Sequence, residues 1–149
     1  PIGQMELLTR GDDLLIVAIG SINAEALMAH NHLSARGIQT TVVNSRFVKP
    51  LDADQIVDLV RPFSRMITVE ENALHGGFGS AVLELLADHG ALPPYIKRIG
   101  IPDRFIEHGA QSILRAKYGL NAEGITTAAH ALMKIGSSPI RPAPRAAAT

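Results

Sequence analysis

Ile67-Thr68-Val69-Glu70-Glu71-Asn72-Ala73-Leu74-His75-Gly76-Gly77-Phe78-Gly79-Ser80 holds the densest polar chemistry in the chain. It reads as a buried strand, then two carboxylates, an amide and a histidine, then a glycine-rich turn that opens a helix. The helix is marked by Val82, Leu85, Leu86 and His89, which share one face. Gly90 and Pro93-Pro94 break it. A strand that turns through glycines straight into a helix is the recurring unit of a parallel α/β sheet.

The flanks repeat that unit. Upstream, Leu14-Leu15-Ile16-Val17-Ala18-Ile19 is a continuous apolar run ended by Gly20-Ser21. Continuous runs mark strands buried on both faces, as parallel sheets require. Ile22, Ala26, Ala29 and Leu33 follow at helical spacing, with Gly37 as the stop. Residues 39–45 contain Thr40-Thr41-Val42-Val43, a second strand by its β-branched content. In Arg46-Phe47-Val48-Lys49-Pro50-Leu51-Asp52, the proline pushes Lys49 towards an extended backbone. Asp52 and Gln55 have the spacing of a capping box before a helix whose face is Ala53, Ile56, Val57 and Val60. Pro62 ends that helix, and residues 66–69 are the next strand.

Downstream, residues 95–99 read as a fourth buried strand, left through Gly100-Ile101-Pro102-Asp103. Residues 112–118 form a short helix stopped by Gly119. Asn121 is placed to cap a last helix with Ile125, Ala128, Ala129 and Leu132 on one face. Residues 4–9 are a weaker strand candidate. There is no internal repeat. The pattern predicts a single α/β domain over residues 1–135, followed by a Pro/Ala/Arg tail over 136–149 that cannot bury enough surface to order itself.

Composition narrows the function. The 14 basic and 14 acidic residues give a formal net charge of zero, so no electrostatic case exists for nucleic acid or an anionic membrane. The chain has no cysteine, which excludes disulfides and thiolate metal sites and permits a reducing compartment. No apolar run reaches the length that spans a bilayer. The expected setting is the cytoplasm, or a plastid for a plant protein. The Pro1-Ile2-Gly3 opening has the character of an interdomain linker, so a longer polypeptide is expected.

Each candidate polar residue has a chemical reading and a plainer one. Backbone N–H groups at the Gly76-Gly77-Phe78-Gly79 turn have the makings of an anion site at a helix N-terminus. The spacing matches neither phosphate-binding glycine motif, and a tight turn that brings helix and sheet close is the plainer reading. Glu70 and Glu71 are adjacent, so they face opposite ways and cannot form one acid/base pair unless the strand has already ended before them. One of them is instead placed to accept N–H bonds from the glycine turn. His75 lies just past the carboxyl end of a strand, where open α/β sheets place ligands. Against that stands an ordinary loop histidine. His108 has a weaker version of the same case. His30 and His32 are two apart on a helix and face apart, and His89 and His130 read as helix-surface residues. Ser21 and Ser80 lack a nucleophile elbow. These residues support an anion or interface site at the glycine turn, and they name no reaction.

Three segments together carry a family resemblance: Arg46 to Asp52 in the form RFVKPLD, Glu70-Glu71-Asn72-Ala73, and Gly76-Gly77-Phe78-Gly79-Ser80. Gly100-Ile101-Pro102-Asp103, Phe105-Ile106 and Tyr118-Gly119-Leu120 follow in the same order. The chain closely resembles the C-terminal domain of the 1-deoxy-D-xylulose-5-phosphate synthases, from Pro1 to about Met133. The resemblance implies a three-layer α/β/α sandwich with a five-stranded mixed sheet, order 1-3-2-4-5, whose first strand is antiparallel. It implies an enzyme that condenses pyruvate with glyceraldehyde 3-phosphate, releases CO2, and requires thiamine diphosphate and Mg2+. Transketolase and the beta subunits of 2-oxo acid dehydrogenases share the fold and are the nearest alternatives, with a self-standing anion-binding module as a third. The family's Gly-Asp-Gly…Asn diphosphate motif belongs to its N-terminal domain and is not found in this sequence. No catalytic, cofactor-binding or metal-ligating residue is therefore expected here. The expected partners are the N-terminal and middle domains of the same enzyme and a second subunit of a homodimer. Contacts with them are expected from Glu71, Asn72, His75, Gly76, Gly77, Gly79, Arg46 and His108.

Overall fold

The computed structural model describes residues 3–104 and 108–136. Pro1-Ile2, Phe105-Ile106 of the family resemblance and the tail beyond Gly136 lie outside them. Five strands form one sheet: β1 (Glu6–Leu7), β2 (Leu14–Ala18), β3 (Thr40–Asn44), β4 (Arg65–Ala73) and β5 (Tyr95–Ile101). Their order is β1-β3-β2-β4-β5, with β1 antiparallel to β3 and the other pairings parallel. The weak strand expected at 4–9 is thus a two-residue edge strand, Glu6 opposite Asn44 and Leu7 opposite Val43.

Five helices cover the sheet: α1 (Asn23–Ser34), α2 (Ala53–Val60), α3 (Phe78–Asp88), α4 (Gln111–Lys117) and α5 (Ala122–Lys134). All five residues of β2 are buried, and they divide alternately between two cores. Leu14, Ile16 and Ala18 point to α1 and α5, against Ala26, Ala29, Leu33, Ile125 and Ala129. Leu15 and Val17 point to α2 and α3, against Ile56, Val57, Val60, Val82 and Leu86. That two-sided burial is why the strand has no polar alternation. Each fully buried side chain of this size contributes about 1.5–3 kcal/mol of transfer free energy.

The helix ends follow the predicted chemistry with one exception. Asp52 Oδ1 accepts the Gln55 N–H (3.0 Å), and Asn121 Oδ1 accepts the Gly124 N–H (2.8 Å). The reciprocal half of the box at Asp52 is not made. Gln55 Oε1 instead accepts the Met5 N–H (3.0 Å), which ties the segment before β1 to α2. The Lys49–Pro50 peptide bond is cis.

The order in which strands are laid down reverses at the centre of the sheet. From β2 the chain runs through α1 to β3 on one side, then crosses through α2 to β4 on the other. The carboxyl ends of β2 and β4 therefore flank the topological switch point, the place where open α/β sheets present a crevice.

Candidate functional site

The strand carrying the two carboxylates runs longer than expected. β4 continues through Glu70-Glu71-Asn72-Ala73, with a register irregularity between Val69 and Ala73. The pleat sends Glu70 and Glu71 to opposite faces, as their adjacency requires.

Glu70 is fully buried. Its Oε2 accepts the Phe78 N–H (2.6 Å) and its Oε1 accepts the Gly79 N–H (2.9 Å). α3 has no cap from its own N-cap residue, Gly77. The carboxylate, arriving from eight residues earlier, does that work with a full charge, where the helix dipole favours an anion. The pocket for it is made of missing side chains. A Cβ at residue 77 would fall on the Ala73 carbonyl oxygen and the Glu70 carboxylate. At residue 79 it would lie 2.7 Å from Thr68 Oγ1 and 3.2 Å from Glu70 Oε1, and at residue 100 it would lie 3.1 Å from Glu70 Cγ. Gly76 differs: its φ is 71° and nothing lies within 4 Å of the place a Cβ would take, so its role is the turn alone.

A second bracket closes the turn. Arg98 on β5 donates to the Leu74 carbonyl (3.0 Å) and to Ser80 Oγ (3.0 Å), and Ser80 Oγ donates to the same carbonyl (2.8 Å). Leu74 N–H donates to Ile101 O (2.8 Å). The strand-to-helix junction is thus pinned to β5 by its backbone and by Arg98.

Glu71 faces the switch point. It accepts a hydrogen bond from Ser21 Oγ, in the turn after β2, and forms an ion pair with Arg115 of α4. Arg115 also donates to Ser21 Oγ (3.2 Å). The crevice between β2 and β4 is therefore spanned by protein side chains. Beside them is a mainly apolar hollow of about 140 Å³ bordered by Ile101, Leu114, Tyr118 and Leu120. None of the α4 residues is fully buried, so Arg115 is a principal tie between this helix and the sheet.

The remaining candidates are spread along the carboxyl edge. Asn72 and His75 are exposed, on the strand end and in the turn. Arg46 is exposed after β3, with its guanidinium 5.6 Å from the Phe47 ring centroid. His108 is exposed ahead of α4. His30 Nδ1 pairs with Thr40 Oγ1 (2.7 Å), and Arg36 donates to His130 Nε2 (2.8 Å), which gives both histidines structural partners. Sequence reading passed over the Ser21–Glu71–Arg115 group because its members are 50 and 94 positions from Ser21 and only the topology unites them. Ser21 was visible as a residue just past a strand end, a signal that carries weight only once the switch point is known.

Chemically, the two carboxylates are committed to opposite sides of the sheet. The amides that would hold an anion at the glycine turn already hold Glu70. Among the described residues, no three His, Asp or Glu side chains are grouped to hold a metal ion, and no helix is long and apolar enough to cross a membrane.

A five-stranded sheet in this order, with its first strand reversed and a carboxylate-capped helix after β4, defines a recognisable class of domain. The chain belongs to the transketolase C-terminal domain family, whose model matches residues 3–125. It is 52% identical over 139 residues to 1-deoxy-D-xylulose-5-phosphate synthase 1 of Geobacter sulfurreducens, covering 93% of this chain and 22% of that protein. It is 50% identical over 129 residues to the 1-deoxy-D-xylulose-5-phosphate synthase of Desulforudis audaxviator, covering 87% and 20%. The chain spans about a fifth of the length of these curated relatives. Among solved structures, a split gene transketolase described as an inactive beta4 tetramer superposes with a TM-score of 0.80 at 35% identity, over 88% of this chain and 42% of that one. A transketolase mutant from Pichia stipitis shares the fold, with a TM-score of 0.64 at 22% identity, over 95% and 20%.

Proposed function

We propose that this chain is the C-terminal domain of a 1-deoxy-D-xylulose-5-phosphate synthase and that its part in the enzyme is architectural. The whole enzyme joins pyruvate to glyceraldehyde 3-phosphate with loss of CO2, in the cytoplasm, as a homodimer. The observation that carries the reading is identity of about half across some nine-tenths of the chain to synthases of that activity. When bound, thiamine diphosphate supplies the carbanion chemistry and Mg2+ holds its diphosphate. Among the described residues the adjacent carboxylates do not fit either group, because both Glu70 oxygens accept backbone amides and Glu71 is paired with Arg115. On this reading the cofactor sits on the N-terminal and middle domains.

On this reading the domain holds its carboxyl edge rigid and presents Asn72, His75, Arg46 and His108 towards neighbouring domains or the second subunit. The test is a chimera in which this chain replaces the matching C-terminal fifth of the Geobacter sulfurreducens synthase. The chimera makes 1-deoxyxylulose 5-phosphate, and the synthase truncated at the same point does not. An inactive but folded chimera contradicts the reading. A separately encoded subunit is the second reading, favoured by the likeness to the split gene transketolase. A single uninterrupted coding sequence running from a Gly-Asp-Gly…Asn motif into Pro1 excludes it.

A further inference from the structure

Among the described residues, Arg46 is the one non-glycine residue with positive φ, at 60°. Side chains reach that region only against crowding between Cβ and the backbone carbonyl. The neighbours hold it there. Arg46 N–H donates to Asn44 Oδ1 (3.0 Å), Ser45 N–H donates to Ala18 O (2.8 Å), and Ser45 Oγ donates to Phe47 O (2.9 Å). Ser45 is buried, so the strained residue is anchored to β2 and β3 while its side chain stands in solvent. Two residues on, Val48 is an exposed large apolar residue at 37%, and Lys49 is exposed beside it. Neither Arg46 nor Lys49 forms an ion pair with a carboxylate among the described residues.

The loop thus fixes two cations and an apolar side chain outward at the carboxyl edge. Strain kept by surrounding bonds, at an exposed residue whose guanidinium has the Phe47 ring as its neighbour among the described residues, points to a contact outside the domain. We propose that residues 46–49, led by Arg46, dock this domain on an acidic patch of the adjoining domain of the longer enzyme. This rests on the C-terminal-domain reading above. The acidic character of the occupant follows from the two exposed cations of the loop, and its place in the same enzyme from the relatives, in which about four-fifths of the chain lies outside the matched segment.

Hydrogen exchange on the chimera, compared with the free chain, tests it. The Val48 and Lys49 amides, which make no backbone hydrogen bond among the described residues, exchange at least about tenfold more slowly in the chimera. Arg46→Glu removes that protection. Arg46→Gly relieves the positive φ, so the free chain melts at the same or a higher temperature, yet the chimera still loses protection at 48 and 49. That separation of stability from docking is not expected of a merely structural arginine. Protection unaffected by either substitution, or confined to another surface of an active chimera, overturns the docking assignment and leaves the domain reading standing. A folded chimera with no protection on any surface of this domain and no activity overturns both.

Discussion

The Glu70 carboxylate occupies the space that any side chain at Gly77 would need. The clasp and the glycine are one device: the acid can reach the amides of Phe78 and Gly79 only because residue 77 has no Cβ. Gly77→Val should therefore lower stability by about 3 kcal/mol or more, through overpacking plus loss of charged hydrogen bonds. Gly76→Ala, one position away, meets only the strain of φ 71° and should lose about 1 kcal/mol. Urea denaturation of the two variants gives the comparison, and equal losses would contradict this division of labour.

Replacing the acid itself separates charge from shape. Glu70→Gln keeps the volume but offers one amide oxygen to two N–H donors and should destabilise by about 1–3 kcal/mol. Glu70→Ala also opens a cavity and should lose more, about 3–5 kcal/mol. Denaturant midpoints in which the glutamine variant matched the parent chain would show that the charge contributes nothing.

Much of this was legible in the residues. The run Leu14 to Ile19 announced a strand buried on both faces, because apolar side chains without alternation need two cores. Asp52 and Asn121 announced helix starts, because a short polar side chain before an apolar period has few other uses. The length of β4 was not legible. Glu70 and Glu71 look like the polar end of a strand, and only tertiary structure supplies the amides that let Glu70 stay buried inside one. Gln55 had the right spacing for a capping box, but a long-range donor, Met5 N–H, won its side chain. The switch-point group was illegible for a related reason: ion-pair partners across a sheet edge leave no local spacing to read.

Glu71 and Arg115 give a measurable coupling. Their side chains are 25% and 28% exposed, so solvent screens them in part, and a double-mutant cycle with Glu71→Ala and Arg115→Ala should yield about 0.5–1 kcal/mol. The coupling should shrink as salt is raised. Hydrogen exchange in α4 should rise in either variant, since that helix buries no residue fully. A cycle with zero coupling at low salt would remove the pair as the tie holding α4.

The glycine turn should not take up a free anion, because Glu70 already fills it. Millimolar phosphate at matched ionic strength should leave the melting temperature where chloride leaves it. A saturable rise with phosphate would revive an anion-binding module.

The central claim is that the polar stretch from Glu70 to Ser80 is a structural joint in a domain that supports chemistry done elsewhere. Calorimetric titration of this chain with thiamine diphosphate and magnesium tests it most directly. The account predicts no heat beyond dilution; saturable binding in about the micromolar range would contradict it.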